Sequence, residues 1–254
     1  MENNIKQPGR RKIWLLPIII AFIAASCQPG TKSEEWVSLF NGENLEGWDI
    51  KIRGYEMNDN FNNTFRVEDG LLIVSYDEYE EFNNEFGHIY YNQPFSHYKL
   101  RVEYRFVGDQ VTGGPGWAFR NNGVMFHAQP AWEIELDQDF PVSVEAQMLG
   151  GDGVNERPNG SVCTPGTTVE IDGVRVYDHC ISSNSRTFHG DDWVTFELVV
   201  FGDSLVYHIM DGDTVMTYRN LQLDNGTPLT KGYIALQAES HPTHFRKIEI
   251  LELK

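Results

Sequence analysis

The 254-residue chain is poor in cysteine, in positive charge and in long apolar runs. Its three cysteines, Cys27, Cys163 and Cys180, show no CxxC spacing, so a zinc ribbon or a thioredoxin-type redox motif is excluded. Lys and Arg number 20 against 37 Asp and Glu, a formal net charge of −17. That balance argues against nucleic acid and anionic lipid as partners and suits a solvated protein handling neutral ligands. There is no GxSxG, no P-loop and no GxGxxG after a strand, so the familiar nucleophile-elbow and nucleotide-cradle chemistries find no motif. HExxH and an EF-hand loop are missing as well. The His and carboxylate content nevertheless leaves a divalent ion open as a cofactor.

The one long apolar run is Ile13 to Ala25, too short for a comfortable membrane span. It follows a basic stretch (Lys6, Arg10, Arg11, Lys12) and ends in Ala24-Ala25-Ser26-Cys27, small residues before a cysteine, as in a bacterial lipobox. Residues 1–26 are therefore expected to be a lipoprotein signal peptide, and Cys27 the lipidated residue. Residues 27–35 then form a polar tether. The expected location is the bacterial cell envelope, with the outer membrane favoured and lipid as the only membrane contact. Residues 36–254 suffice for one substantial core. The remaining pair, Cys163 and Cys180, reads as a disulfide in an oxidising compartment, with reduced thiols or metal ligands as the alternative.

Period-2 patterning dominates the rest, and no long amphipathic helix appears. Short alternating segments such as Tyr98–Phe106, Gly123–Gln129, Trp193–Phe201 and His244–Leu253 are separated by Gly, Asp and Asn turns. The expected class is all-β, two antiparallel sheets packed as a sandwich. Leu205 to Tyr218, turning at Asp211-Gly212, is the clearest hairpin. A brief helix is expected near Leu221.

Several strands keep a polar face. In Val142–Met148 the outward residues are Ser143, Glu145 and Gln147; in Gly123–Gln129 they are Met125, His127 and Gln129; in Tyr233–Glu239 they include Gln237 and Glu239, with His241 following. His208 alternates away from Leu205, Tyr207 and Ile209. If these strands share one sheet, they form a floor of His, Gln and Glu, suited to sugar hydroxyls and to proton transfer. Trp117, Phe119 and Trp132 would supply aromatic walls.

Seven segments in order carry a resemblance: "WVSLFNGENLEGWDI" (36–50), "FRVEDGLLIVS" (65–75), "YKLRVEYRF" (98–106), "NNGVMFH" (121–127), "VSVEAQMLGG" (142–151), "DDWVTFELVV" (191–200) and "GYIALQAESHPTHFRKIEI" (232–250). Together they resemble the 3-keto-disaccharide hydrolase domain family. The resemblance implies a concanavalin A-like jelly roll acting on glycosides already oxidised to a ketone at C3. It places the family's Glu-x-Gln on Glu145 and Gln147, and its Leu-Gln on Leu236 and Gln237. Where the commonest family pattern ends a strand in Arg, this chain has His127, and Arg120 just upstream is the candidate cation. A C3 ketone acidifies the proton on C2, so a base can remove it while the C1 oxygen leaves. On that scheme Glu145 or His127 is the base. Arg120, a His or a metal stabilises the enolate, and Glu239 or His241 protonates the leaving oxygen. Gln129, Gln147 and Gln237 hold hydroxyls, with His208 and Trp117 as further contacts. Two other readings stay open: a carbohydrate-binding lipoprotein without catalysis, and a conventional glycoside hydrolase on unoxidised glycan.

Overall fold

Strands form here because alternate side chains are apolar. Tyr98, Leu100, Val102, Tyr104 and Phe106 are all buried, while Lys99, Arg101, Glu103 and Arg105 between them face outward and are only half-covered. The computed structural model describes Met1 and residues 35–253. The expected leader, the lipidation of Cys27 and nearly all of the tether lie outside the described residues.

Among the described residues, seventeen strands follow in chain order. The first six are β1 (Val37–Ser38), β2 (Trp48–Ile52), β3 (Phe65–Glu68), β4 (Leu71–Val74), β5 (Gly87–Phe95) and β6 (His97–Phe106). Then come β7 (Asn121–Ala128), β8 (Val144–Leu149), β9 (Val162–Cys163), β10 (Thr167–Ile171), β11 (Val174–Val176) and β12 (Cys180–Ile181). The last are β13 (Val194–Phe201), β14 (Leu205–Met210), β15 (Asp213–Leu223), β16 (Gly232–Ala238) and β17 (Thr243–Glu252). One sheet runs β11-β10-β15-β14-β13-β6-β17-β4-β3, with β1 beside β17; the other runs β12-β9-β8-β7-β16-β5-β2. The two sheets make an antiparallel jelly-roll sandwich, as the patterning implies.

The core lies between them. Tyr98, Leu100, Phe196 and Leu198 from one sheet meet Val124, Phe126, Ala146 and Leu236 from the other. Each of the Val, Leu and Phe side chains among them contributes roughly 1.5–3 kcal/mol on burial. The hairpin β14–β15 turns on Asp211-Gly212, both with positive φ (48° and 92°), as a two-residue turn of this twist requires. The expected helix near Leu221 is not there: Leu221 is a buried strand residue of β15. Helical structure among the described residues amounts to three single 3₁₀ turns.

Candidate active site

The seven-stranded sheet builds its outer face by register. Gly123 of β7 pairs with Gln147 of β8, and Met125 with Glu145. Ala235 of β16 pairs with Met125 on one side and with Tyr90 of β5 on the other, and Gln237 pairs with His88. Cross-strand partners point the same way, so Glu145, Gln147, Gln237, His88 and Tyr90 share one face. Glu239 continues the alternation just past β16. A cavity of about 350 Å³ opens there, with Glu145, Gln147, Asn121 and Glu239 on its floor. Its walls are Trp117, Phe140, Arg157 and the Cys163–Cys180 disulfide. Its size lies within the range of small-molecule sites.

Gly123 makes the floor possible. A Cβ at this position would lie 2.5 Å from Glu145 Oε1 and 2.6 Å from Gln237 Oε1. The missing side chain is the space into which those two groups lean. Gln237 also donates from Nε2 to Glu239 Oε1 at 3.3 Å. Its amide therefore lies between the carboxyls, nitrogen toward Glu239 and oxygen toward Glu145.

Both carboxyls are almost fully buried. Burial pushes the Glu145 carboxyl well above its ordinary range, and the neighbouring Glu239 charge adds to the rise. Burial likewise raises Glu239, while the Arg157 guanidinium pulls it partly back. Such a pair titrates as a unit and holds one proton over a wide pH range. The amide orientation and Arg157 both favour the anion on Glu239 and the proton on Glu145. Around the pair, His88 Nε2, Tyr90 Oη, Asn121 Oδ1, Gln237 Oε1 and Glu239 Oε2 are buried with no partner in the protein. Buried polar atoms are normally paired, so several orphans at one place mark groups waiting for a ligand.

The structure gathers Glu145, Gln147, Gln237, Glu239 and Trp117, as the sequence pattern suggests, and disperses the other candidates. His127 leaves this face. Register shifts between β7 and β16 at this point, and His127 adopts φ 47°. The bulge returns Ala128 to the outer face and turns the imidazole inward, where Nε2 donates to the Gly202 carbonyl at 3.1 Å. A Cβ at Gly232 would lie 2.3 Å from the His127 carbonyl carbon, so only glycine admits this bulge. His208 belongs to the other sheet and points into the core, its nitrogens bonded to the Gly160 carbonyl and the Tyr218 hydroxyl at 2.8 and 2.7 Å. Gln129 is structural: its Oε1 accepts from the Val142 N–H and from Gln138. Arg120 is spent on Asp191 at 2.7 Å and on the Gly190 carbonyl. His241 is buried against Phe106 and Phe119, away from the cavity lining, and burial followed by the Arg120 charge holds it neutral at about 4.

The cation at the cavity is Arg157. Its guanidinium donates to the carbonyls of Trp117, Phe119, Arg120 and Gly150, fastening two loops as it faces Glu239. Arg157 sits in an aperiodic loop, where alternation says nothing. His88 and Tyr90 do alternate in β5, and that is the signal that would have found them; burial holds His88 neutral, at about 3. The Cys163–Cys180 disulfide is present and joins β9 to β12 at the cavity's edge. Among the described residues no three His, Cys, Asp or Glu side chains gather as a metal site. The donors lining the cavity are the Glu145 and Glu239 carboxyls, the Asn121 and Gln147 amides and the His179 ring.

Sandwich, face and buried carboxylate pair together describe a carbohydrate-active jelly roll. The chain belongs to the 3-keto-α-glucoside-1,2-lyase-like domain family, whose profile matches residues 35–251. Two candidate glycosyl hydrolases from Parabacteroides distasonis ATCC 8503 share the fold. One is 18% identical with a TM-score of 0.53, covering 86% of this chain and 100% of its own; the other is 15% identical with a TM-score of 0.55, covering 88% and 96%. The exoplasmic/lumenal domain of VIP36, solved with Ca²⁺ bound, is 12% identical with a TM-score of 0.51, covering 82% and 84%. No curated protein matches the chain significantly.

Proposed function

We propose that the chain cleaves the glycosidic bond of 3-keto-glycosides by elimination across C1 and C2. The observation that carries this reading is the buried Glu145/Glu239 pair in a sugar-sized cavity, with the Gln237 amide donating to Glu239. Elimination needs a base and an acid at once, and a pair sharing one proton supplies both. The Glu239 carboxylate takes the C2 proton. The C1–O bond breaks, its electron pair leaves on the aglycone oxygen, and Glu145 protonates that oxygen. The enolate formed at the C3 ketone is stabilised by the Arg157 charge and by the Asn121 amide. The pair is then in the opposite protonation state. Water attacks C1 with its proton passing to Glu145, Glu239 returns the proton to C2, and the cycle closes as net hydrolysis. Gln147 and neutral His88 offer hydrogen bonds to hydroxyls.

We read the chain as an exported lipoprotein as well. The support is the leader-like segment 1–26 with Cys27, and a disulfide suited to an oxidising compartment. The decisive experiment incubates the chain from Gln28 onward with a 3-keto-disaccharide and with its unoxidised parent, with and without a chelator, following products by mass spectrometry. Cleavage of the keto substrate alone is expected. Cleavage of the parent at equal rate would replace the elimination with conventional glycoside hydrolysis, and binding of both without cleavage would leave a lectin.

A further inference from the structure

The outer face of the seven-stranded sheet carries a second, larger recess that the carboxylate cavity does not use. It measures about 610 Å³ and lies where β7 ends and β16 begins, between Trp132, Tyr233, Pro94, Leu223 and Leu229. The bulge at His127 builds it. The imidazole has turned inward, Ala128 takes its place on the face, and Gly232 beside it has no side chain, so the sheet is bare there. Tyr233 precedes Gln237 by four residues on β16, roughly 13 Å along the strand. Between the two sites Ala131 packs with Tyr90, Met125 and Ala235 and covers the face. The recess and the cavity are therefore separate.

Its lining is apolar with a sparse polar rim. Trp132 is 59% exposed, and its ring packs edge-to-face with Tyr233, centroids 5.4 Å apart and planes at 81°. The turn that carries it is fixed: the Glu133 N–H donates to the Pro130 carbonyl at 2.9 Å, and Gln129 Nε2 donates to the Glu133 carbonyl at 3.1 Å. Glu133 and Lys231 are the charged side chains on the lining, one of each sign, both exposed and neither in an ion pair among the described residues. On a chain of net charge −17 this patch is neutral, so a polyanion gains nothing here. An extended peptide finds no open strand edge, since β7 and β16 are each paired on both sides. A pyranose fits both features. Its apolar ring face stacks on an indole, and its hydroxyls at the rim meet a carboxylate, an ammonium and the Tyr233 hydroxyl.

We propose that this recess is a second, non-catalytic saccharide site that holds a neutral hexose polymer in its ordinary, unoxidised form. No buried acid lies in it, so it binds without cleaving. Trp132, Pro94 and Lys231 are exposed at its edge, so a chain can lie across it without threading in by an end. The site does not depend on the elimination reading, and its ligand is not the substrate of that reaction. Its effect is to keep the protein at a glycan surface.

Affinity electrophoresis tests this, with the protein run in native gels containing soluble starch, mixed-linkage β-glucan, galactomannan or polygalacturonate. At least one of the three neutral polymers is expected to retard the wild type, and polygalacturonate is not. Trp132→Ala is expected to raise the dissociation constant about tenfold or more, and Lys231→Ala about threefold. Glu239→Gln, in the carboxylate cavity, should keep the wild-type retardation, and Trp132→Ala should cleave a 3-keto-disaccharide within about twofold of wild type. Melting temperature checks each fold, and should Trp132→Ala fail to fold, Lys231→Ala decides alone. No retardation in any neutral gel, or retardation unchanged in both recess variants, would overturn the site. Retardation lost in Glu239→Gln would return the binding to the cavity and overturn it equally. Retardation by polygalacturonate that Trp132→Ala removes would overturn the neutral ligand class. A wild type that is retarded yet leaves the 3-keto-disaccharide intact fails the elimination reading alone.

Discussion

The two outer faces of the sandwich treat the same side chains in opposite ways. On the ten-stranded sheet Glu103 takes Arg246 at 2.5 Å and Lys247 at 3.1 Å, and Arg101 takes Glu197 at 2.7 Å. Arg101 also lies over Trp36, and Arg105 and Arg246 over Trp193. Partial burial would raise the Glu103 carboxyl, but its bonds to Arg246 and Lys247 outweigh that and hold it below its ordinary range. On the seven-stranded sheet Glu145 and Glu239 lie deeper, with no salt bridge among the described residues, and both are raised. Pairing every charge is what a surface does when it has only to be stable and soluble. Burying two acids together costs stability, and it persists where a ligand or a reaction supplies the compensation.

That contrast can be broken at single residues. Glu239→Gln or Glu145→Gln should lower kcat/KM on a 3-keto-disaccharide by about 10²–10⁴-fold, the usual worth of a positioned acid or base. The fold should survive, since Gln keeps the shape. Glu103→Gln on the other sheet should leave turnover within about twofold. Steady-state kinetics on the three variants checks this, and equal effects would erase the distinction between the faces.

Gly123→Ala is the next largest change. Its Cβ would collide with Glu145 and Gln237 and displace the carboxyl and the amide that hold the pair's geometry. Misplacement near 1 Å commonly costs on the order of 100-fold, so a loss of about 10- to 100-fold in kcat is expected with substrate binding retained. Wild-type kcat in that variant would mean that the Glu145–Gln237–Glu239 geometry does not set the rate.

Much of this was legible in the sequence, and the limits have physical causes. Period-2 alternation located most of the longer strands and placed Glu145, Gln147 and Gln237 on an outer face, because side-chain direction in a regular strand follows parity. Parity fails at a bulge, and that is where His127 turned inward. It also carries no information on which sheet a strand joins or which of its two faces is buried, so His208 lies in the other sheet and on the inward face with Val206 and Met210. Short strands such as Val162–Cys163 and Cys180–Ile181 are too brief for any period. Arg157 works from a loop through tertiary contacts, and a loop has no pattern to read.

The smallest expected effect is on stability against pH. The raised carboxyls bind protons in the folded state that the unfolded chain has released, so they lose stability as pH rises from about 4.5 through about 8 for Glu239. The buried histidines work in the other direction. Burial holds His88 at about 3 and His127, His208 and His241 at about 4, against an ordinary 6.5. The unfolded chain takes up protons that these rings refuse, so stability falls as pH drops below about 6.5. Below 4.5 the histidines act together with carboxylates held low, such as Glu103 and Asp77, and above 6.5 the raised carboxyls act, so the melting temperature should peak between those values. Glu145→Gln removes one member of the acid pair and its repulsion. It should flatten the alkaline limb by a few degrees and leave the acid limb unchanged, whereas Glu103→Gln, whose carboxylate is already paired, should not flatten the alkaline limb at all. Calorimetric scans from pH 4 to pH 9 on the three proteins test this. A wild-type alkaline limb as flat as that of Glu145→Gln would mean that the two acids share no proton in the folded protein.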